Sequence, residues 1–151
     1  EAALSRSDTP CGKTDEDGRT QDLLGNGELP VLVEKPAAYF IEHNDGLKTT
    51  LLMLNGAIKD FCFACEADGE IVSTQFFLSP TPNVTYSACL VAKIEEMIQT
   101  GAAPFPAERT LIVSGALESC LTSKVEDHKT LETPHLSVVY EAPDESQHAR
   151  F

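Results

Sequence analysis

Three Asn-Gly or Asp-Gly pairs, Asp45-Gly46, Asn55-Gly56 and Asp68-Gly69, punctuate the apolar stretch between residues 38 and 78. They limit what the chain can fold into more than any other feature, because these pairs supply the positive φ angles of tight hairpin turns. The segments they separate read as strands. Ala38-Tyr39-Phe40-Ile41-Glu42-His43 is followed, past Asn44-Asp45-Gly46, by Leu47-Lys48-Thr49-Thr50-Leu51-Leu52-Met53-Leu54. A third strand is expected over residues 58–65 and a fourth over 71–78, each rich in the β-branched and aromatic residues that favour a pleated sheet. Strands joined by such short connections pair antiparallel, since parallel neighbours need long crossovers.

The period then changes. Pro80-Thr81-Pro82-Asn83 breaks the strand pattern, with Asn83 read as a helix-start residue. Leu90, Ile94, Met97 and Ile98 recur at helical spacing, which predicts an amphipathic helix over residues 84–100 stopped by Gly101. A second helix is expected over about residues 107–124, with Pro106 at its start and Val113, Ala116, Leu117, Cys120 and Leu121 on its apolar face. His135-Leu136-Ser137-Val138-Val139-Tyr140 reads as a last strand rejoining the sheet. The expected fold is therefore α+β: an open antiparallel sheet of about five strands with two helices packed on one face.

The domain organisation follows from composition. Residues 1–30 are polar, acidic and rich in glycine, and read as a connecting arm or linker with a short helix near residues 20–24. Residues 31–142 carry the α+β domain, and 143–151 read as a flexible tail. The start, Glu1-Ala2-Ala3-Leu4-Ser5-Arg6, has no initiator Met and no leader pattern, as expected of a segment of a longer protein.

The 151 residues carry 24 acidic and 11 basic side chains, a formal net charge of -13. Such a field repels phosphate backbones and anionic lipid, so neither nucleic acid nor membrane is an expected partner. No apolar run approaches the roughly 20 residues of a membrane span. The cysteine count, 5, is odd, and most of the thiols sit in apolar segments, which reads as reduced cysteine in a cytoplasmic protein.

Candidate chemistry is sparse. Cys62-x-x-Cys65 has the spacing of a redox pair or half a zinc site, but on a strand these positions point to opposite faces and no second ligand pair matches them. Carboxylates and imidazoles gather between Glu126 and His135, where His128, Glu132 and His135 form a candidate metal set. His128 and Glu132 would share a face if the second helix ran that far, although Thr133-Pro134 ends any helix there. Neither GxGxxG nor GxxxxGK[ST] occurs, and no GxSxG elbow is present, so the chain is not expected to bind a dinucleotide or other cofactor by itself.

Several segments taken together resemble the C-terminal part of the glucose-fructose oxidoreductase/inositol dehydrogenase-like (Gfo/Idh/MocA-type) family. They are Tyr39-Phe40-Ile41-Glu42 with Asp45-Gly46-Leu47-Lys48-Thr49, Leu54-Asn55-Gly56, Val72-Ser73-Thr74-Gln75-Phe76, Ile94-Glu95-Glu96-Met97 with Thr100-Gly101-Ala102-Ala103-Pro104, Glu108-Arg109-Thr110-Leu111, and Leu131-Glu132-Thr133-Pro134-His135-Leu136. The resemblance spans about residues 28–140. It implies an α+β domain that shapes a substrate site and forms a subunit interface, beside a separate Rossmann domain that would hold NAD(P) in a full-length parent.

Glu34-Lys35-Pro36 spells the family's EKP motif, whose lysine takes part in proton transfer, and makes Lys35 a catalytic candidate by resemblance. In the family the motif belongs to the cofactor half, whereas here the segment after it resembles the other half, so it reads as a coincidence. Asp144-x-x-x-His148 matches a family active-site pattern but falls in the tail. The expected function is a substrate-site and oligomerisation domain of an oxidoreductase-like protein, inactive alone and self-associating through its sheet face. The alternative is a stand-alone module for a metal or small ligand.

Overall fold

The sharpest local geometry lies at Asp68-Gly69, where both residues have positive φ, 54° and 80°. This is the arrangement of a two-residue type I′ turn, whose twist matches that of the strands it joins. The computed structural model describes residues 1–8, 23–77 and 84–142. The chain divides into two units, Glu1–Leu78 and Ser79–Phe151.

In the first unit, β1 (Ala37–Glu42) and β2 (Lys48–Met53) form one antiparallel pair, with Tyr39 opposite Leu51 and Ile41 opposite Thr49. His43 N–H donates to the Leu47 carbonyl at 2.8 Å, and the Asp45 carboxylate accepts from Leu47 N–H at 3.0 Å, closing the connection. β3 (Cys62–Ala67) and β4 (Glu70–Gln75) form a second antiparallel pair, with Cys62 opposite Gln75 and Cys65 opposite Val72. Both hairpins expected from the Asp-Gly turns are present, within the α+β class, although β3 begins later and β4 ends earlier than the sequence suggests.

The hairpins do not join into one sheet: each is two-stranded. Asn55-Gly56 does not work as a hairpin turn between β2 and β3. Residues 54–58 fold instead against a single helical turn, α1 (Leu29–Leu32), and bury Ala57 completely, with Leu23 and Val33 beside it. Leu29, Leu32, Leu54 and Ile58 pack around this small core. Gly56 has φ 105° and passes under the Leu32 carbonyl, where a Cβ would overlap the oxygen. The residues between β2 and β3 are used to bury this cluster and Asp60, and so cannot serve as a tight turn.

The second unit contains α2 (Val84–Thr100) and α3 (Ala107–Val125), close to the bounds that periodicity predicts. Thr100 and Gly101 end α2: the Thr100 hydroxyl donates to the Glu96 carbonyl at 2.7 Å, and Gly101 N–H to the Met97 carbonyl at 2.9 Å. Pro106 stands one position outside α3, at its N-cap, with extended ψ. Asn83, the expected helix start, lies outside the described residues, as do most of residues 20–24.

The expected last strand is not there. Residues 134–136 form a 3-10 turn (Pro134–Leu136), and the following residues through Ala142 are irregular. Pro134 has no N–H to give a ladder. The donors after it are used locally: Leu136 N–H bonds to Thr133, Ser137 to Pro134 and Val138 to Leu136. The Leu136 side chain then packs on α3 at Gly115, so this segment is anchored to a helix rather than paired with a strand.

Candidate functional site

Helix α3 ends at Val125 because the backbone reverses there. Glu126 N–H bonds to the Thr122 carbonyl at 2.9 Å, His128 N–H to the Ser123 carbonyl at 2.8 Å, and the Ser123 hydroxyl donates to the Lys129 carbonyl at 2.7 Å. Asp127 and His128 both take positive φ, 65° and 62°, a left-handed conformation uncommon outside glycine. With the helix stopped, His128 and Glu132 do not share a helical face. His135 stands on the 3-10 turn beyond them, and all three side chains are exposed. Among the described residues no group of three His, Cys, Asp or Glu side chains is arranged to hold a metal ion, so His128, Glu132 and His135 are not brought together as a ligand set.

Lys35 lies in the bend between α1 and β1 and is exposed. Asp144 and His148 lie outside the described residues. Cys62 and Cys65 are both free thiols on β3, Cys62 half-buried and Cys65 exposed, as alternation along a strand requires. An open apolar groove of about 450 Å³ follows α3 between Ser114, Leu117, Leu121 and Val125, with Glu118 and Glu126 on its margin.

The most organised polar group in the first unit is one that sequence reading treats as an ordinary strand residue. Asp60, only 6% exposed, sits just before β3 and accepts four hydrogen bonds from the described residues. Its Oδ1 receives the Ser7 hydroxyl at 2.7 Å and the Cys62 thiol at 3.7 Å. Its Oδ2 receives the Asp8 backbone N–H at 2.9 Å and the Gln75 side-chain amide at 2.6 Å. Ser7 is buried to the same degree, 6% exposed, and Arg6 Nε adds a bond to the Ser73 hydroxyl at 2.8 Å. A carboxylate taken out of water persists only when its lone pairs are satisfied, and this set of donors does that. The sequence does hold a signal: an Asp set between Ile58 and Phe61, in a stretch otherwise suited to burial.

The chemistry available here is that of a tether. Burial raises the Cys62 thiol above its ordinary value of 9.0, and the charge and hydrogen bond of Asp60 raise it further, with Asp8 adding to the effect. A thiol held protonated is a poor nucleophile at neutral pH. Cys62 thus reports on the Asp60 cluster and is not an activated cysteine.

The opposite face of the same hairpin is apolar and uncovered. Phe63 and Cys65 on β3 lie across from Thr74 and Val72 on β4. The ladder continues where Phe76 N–H donates to the Phe61 carbonyl at 2.8 Å, which sets Phe76 opposite Phe61. Phe61 is 66% exposed, Phe76 54% and Phe63 44%.

Fold and site together define an α+β chain of two antiparallel hairpins and two main helices, with a buried carboxylate tether on one face of a hairpin and exposed aromatics on the other. Compared with known proteins, it matches no protein-family model, no curated protein and no solved structure. Among the described residues no helix is long and apolar enough to cross a membrane.

Proposed function

We propose that this chain is the C-terminal substrate-site and oligomerisation domain of an oxidoreductase-like protein of the glucose-fructose oxidoreductase/inositol dehydrogenase-like type, inactive without a dinucleotide-binding half. The observation that carries the assembly part is the row of exposed aromatics, Phe61, Phe63 and Phe76, on one face of the β3–β4 hairpin. A contiguous apolar patch of this kind marks a surface meant to be covered. The segments that resemble the family fall on regular elements: Tyr39 to Glu42 on β1, Val72 to Gln75 on β4, Ile94 to Met97 on α2 and Glu108 to Leu111 on α3.

In this reading a second copy of the chain covers the aromatic face of the β3–β4 hairpin. The sequence contains no glycine-rich phosphate cradle, so NAD(P) does not fit the residues present and would be held by the parent's other domain. Light scattering over a wide concentration range tests the assembly. A dimer or larger closed oligomer is expected, and a monomer at high concentration would remove the proposal. Titration with NAD(P)H, followed by nicotinamide fluorescence, is expected to show no binding to this chain, and saturable binding would contradict the division of labour.

A further inference from the structure

The first eight residues carry a device that the assembly reading does not use. Residues 4–6 form a 3-10 turn (Leu4–Arg6) lying against β4, and Ser7 and Asp8 follow it onto Asp60. The face they lie on is the one that presents Cys62 and Gln75, a directly opposed pair, and Ala64 and Ser73, the next such pair. All four are half-buried, whereas Phe63, Cys65, Val72 and Thr74 on the other face are exposed.

The attachment is unusual in kind. Ser7 is the only residue of this segment that is buried, and its side chain is a hydroxyl. Leu4 is half-buried, and no large apolar side chain anchors the segment as Leu23 and Val33 anchor the core. Among the described residues, three hydrogen bonds tie residues 6–8 to two side chains, Asp60 and Ser73. Hydrogen bonds exchanged with water contribute little net stability each, while apolar burial resists opening. A segment attached mainly by the first opens locally without the rest unfolding.

We propose that residues 4–8 are a strap that lifts from the β3–β4 hairpin while the hairpin stays folded, and that Asp60 is the latch. In the closed state the strap shields a polar face made of Asp60, Cys62, Ser73 and Gln75. In the open state that face meets solvent, and Asp60 loses the Ser7 and Asp8 donors while keeping those of Cys62 and Gln75. The exposed aromatic face on the other side is unaffected by the motion.

Cys62 and Cys65 provide the measurement, since they stand on opposite faces of one strand. The full chain is labelled with N-ethylmaleimide under native conditions, and each thiol is followed by peptide mass spectrometry. Hydrogen exchange of the peptide containing residues 4–8 is measured in parallel. Cys62 is expected to label more slowly than Cys65 in the unsubstituted protein. In Ser7→Ala the strap opens more often, so Cys62 labelling and exchange in residues 4–8 are expected to speed up together by about tenfold, the effect of losing one charge-assisted hydrogen bond. Cys65 labelling and exchange within β3 and β4 should not change.

Ser7→Ala is preferred to Asp60→Asn because it keeps the carboxylate that raises the Cys62 thiol, so a faster rate means access rather than ionisation. Arg6→Ala is a second, milder variant that removes the bond to Ser73 and should act in the same direction. The strap is refuted if neither variant changes Cys62 labelling. It is also refuted if Cys62 accelerates only together with exchange in β3 and β4, for then opening is global unfolding.

Discussion

Gly56 packs so near the backbone carbonyl of Leu32 that a Cβ at this position would overlap the oxygen. Replacing Gly56 with Ala places a Cβ onto a backbone oxygen that cannot swing aside, at a residue whose φ of 105° already disfavours any side chain. The strained angle and the overlap together should cost about 2–4 kcal/mol. Chemical denaturation of Gly56→Ala against the unsubstituted chain measures it, and a loss under half a kilocalorie would contradict this packing.

Gly115→Ala is expected to behave differently although its added Cβ also meets a neighbour. The contact there is the Leu136 side-chain end, which can rotate away. Alanine also improves helix propensity by about 1 kcal/mol in the middle of α3. The net change should be small, within about 1 kcal/mol of zero, with the main effect a loosened Leu136. Circular dichroism melting of both glycine variants tests the ordering.

Asp60→Ala should be among the most damaging substitutions in the first unit. It leaves the Ser7 hydroxyl, the Asp8 N–H and the Gln75 amide without their acceptor, at a cost of about 3 kcal/mol. Asp60→Asn keeps one acceptor oxygen but turns an amide NH2 towards a donor, and should fall between the two. Equal stability of all three proteins by denaturant titration would count against the cluster.

The raised Cys62 thiol gives a signed pH dependence. Because the neutral thiol is favoured in the folded state, its contribution to stability is complete below the unfolded value of 9.0 and is lost as pH rises through the higher folded value. The unsubstituted protein should therefore lose stability above about pH 9 faster than Cys62→Ala does. Paired urea titrations between neutral and alkaline pH, compared as a difference, isolate this thiol from the lysines and tyrosines.

Phe63→Glu addresses assembly. The ring is on the uncovered face, so its loss should leave thermal stability nearly unchanged while a charge at the proposed interface opposes association. Sedimentation or light scattering of Phe63→Glu should then show a smaller species than the unsubstituted chain. An unaltered oligomer would place the interface elsewhere.

Much of the local architecture is legible in the residues themselves. Asp68-Gly69 needs no context to make its turn, since both positions must take positive φ and the pair is the one best able to do so. α2 and α3 were equally plain, because apolar side chains at helical spacing and the Gly101 stop are local signals. The site was less so. Asp60 reads as one polar residue in a strand, and its partners, Ser7 and Gln75, lie 53 and 15 positions away. Nothing local pairs residues so far apart.

The sequence by itself determined the two hairpins, the two helices and the separation of Cys62 from Cys65. Tertiary structure decided the rest. Asn55-Gly56 has the composition of a hairpin turn, yet burying Ala57 beside Leu23 and Val33 took that segment out of the sheet. His135 to Tyr140 alternates like a strand, yet Pro134 and the packing of Leu136 on Gly115 held it to α3. The reason is the same in both places. Turn chemistry and periodicity act within a few residues, whereas the choice between pairing and burial depends on which distant surface offers a place for the same side chains.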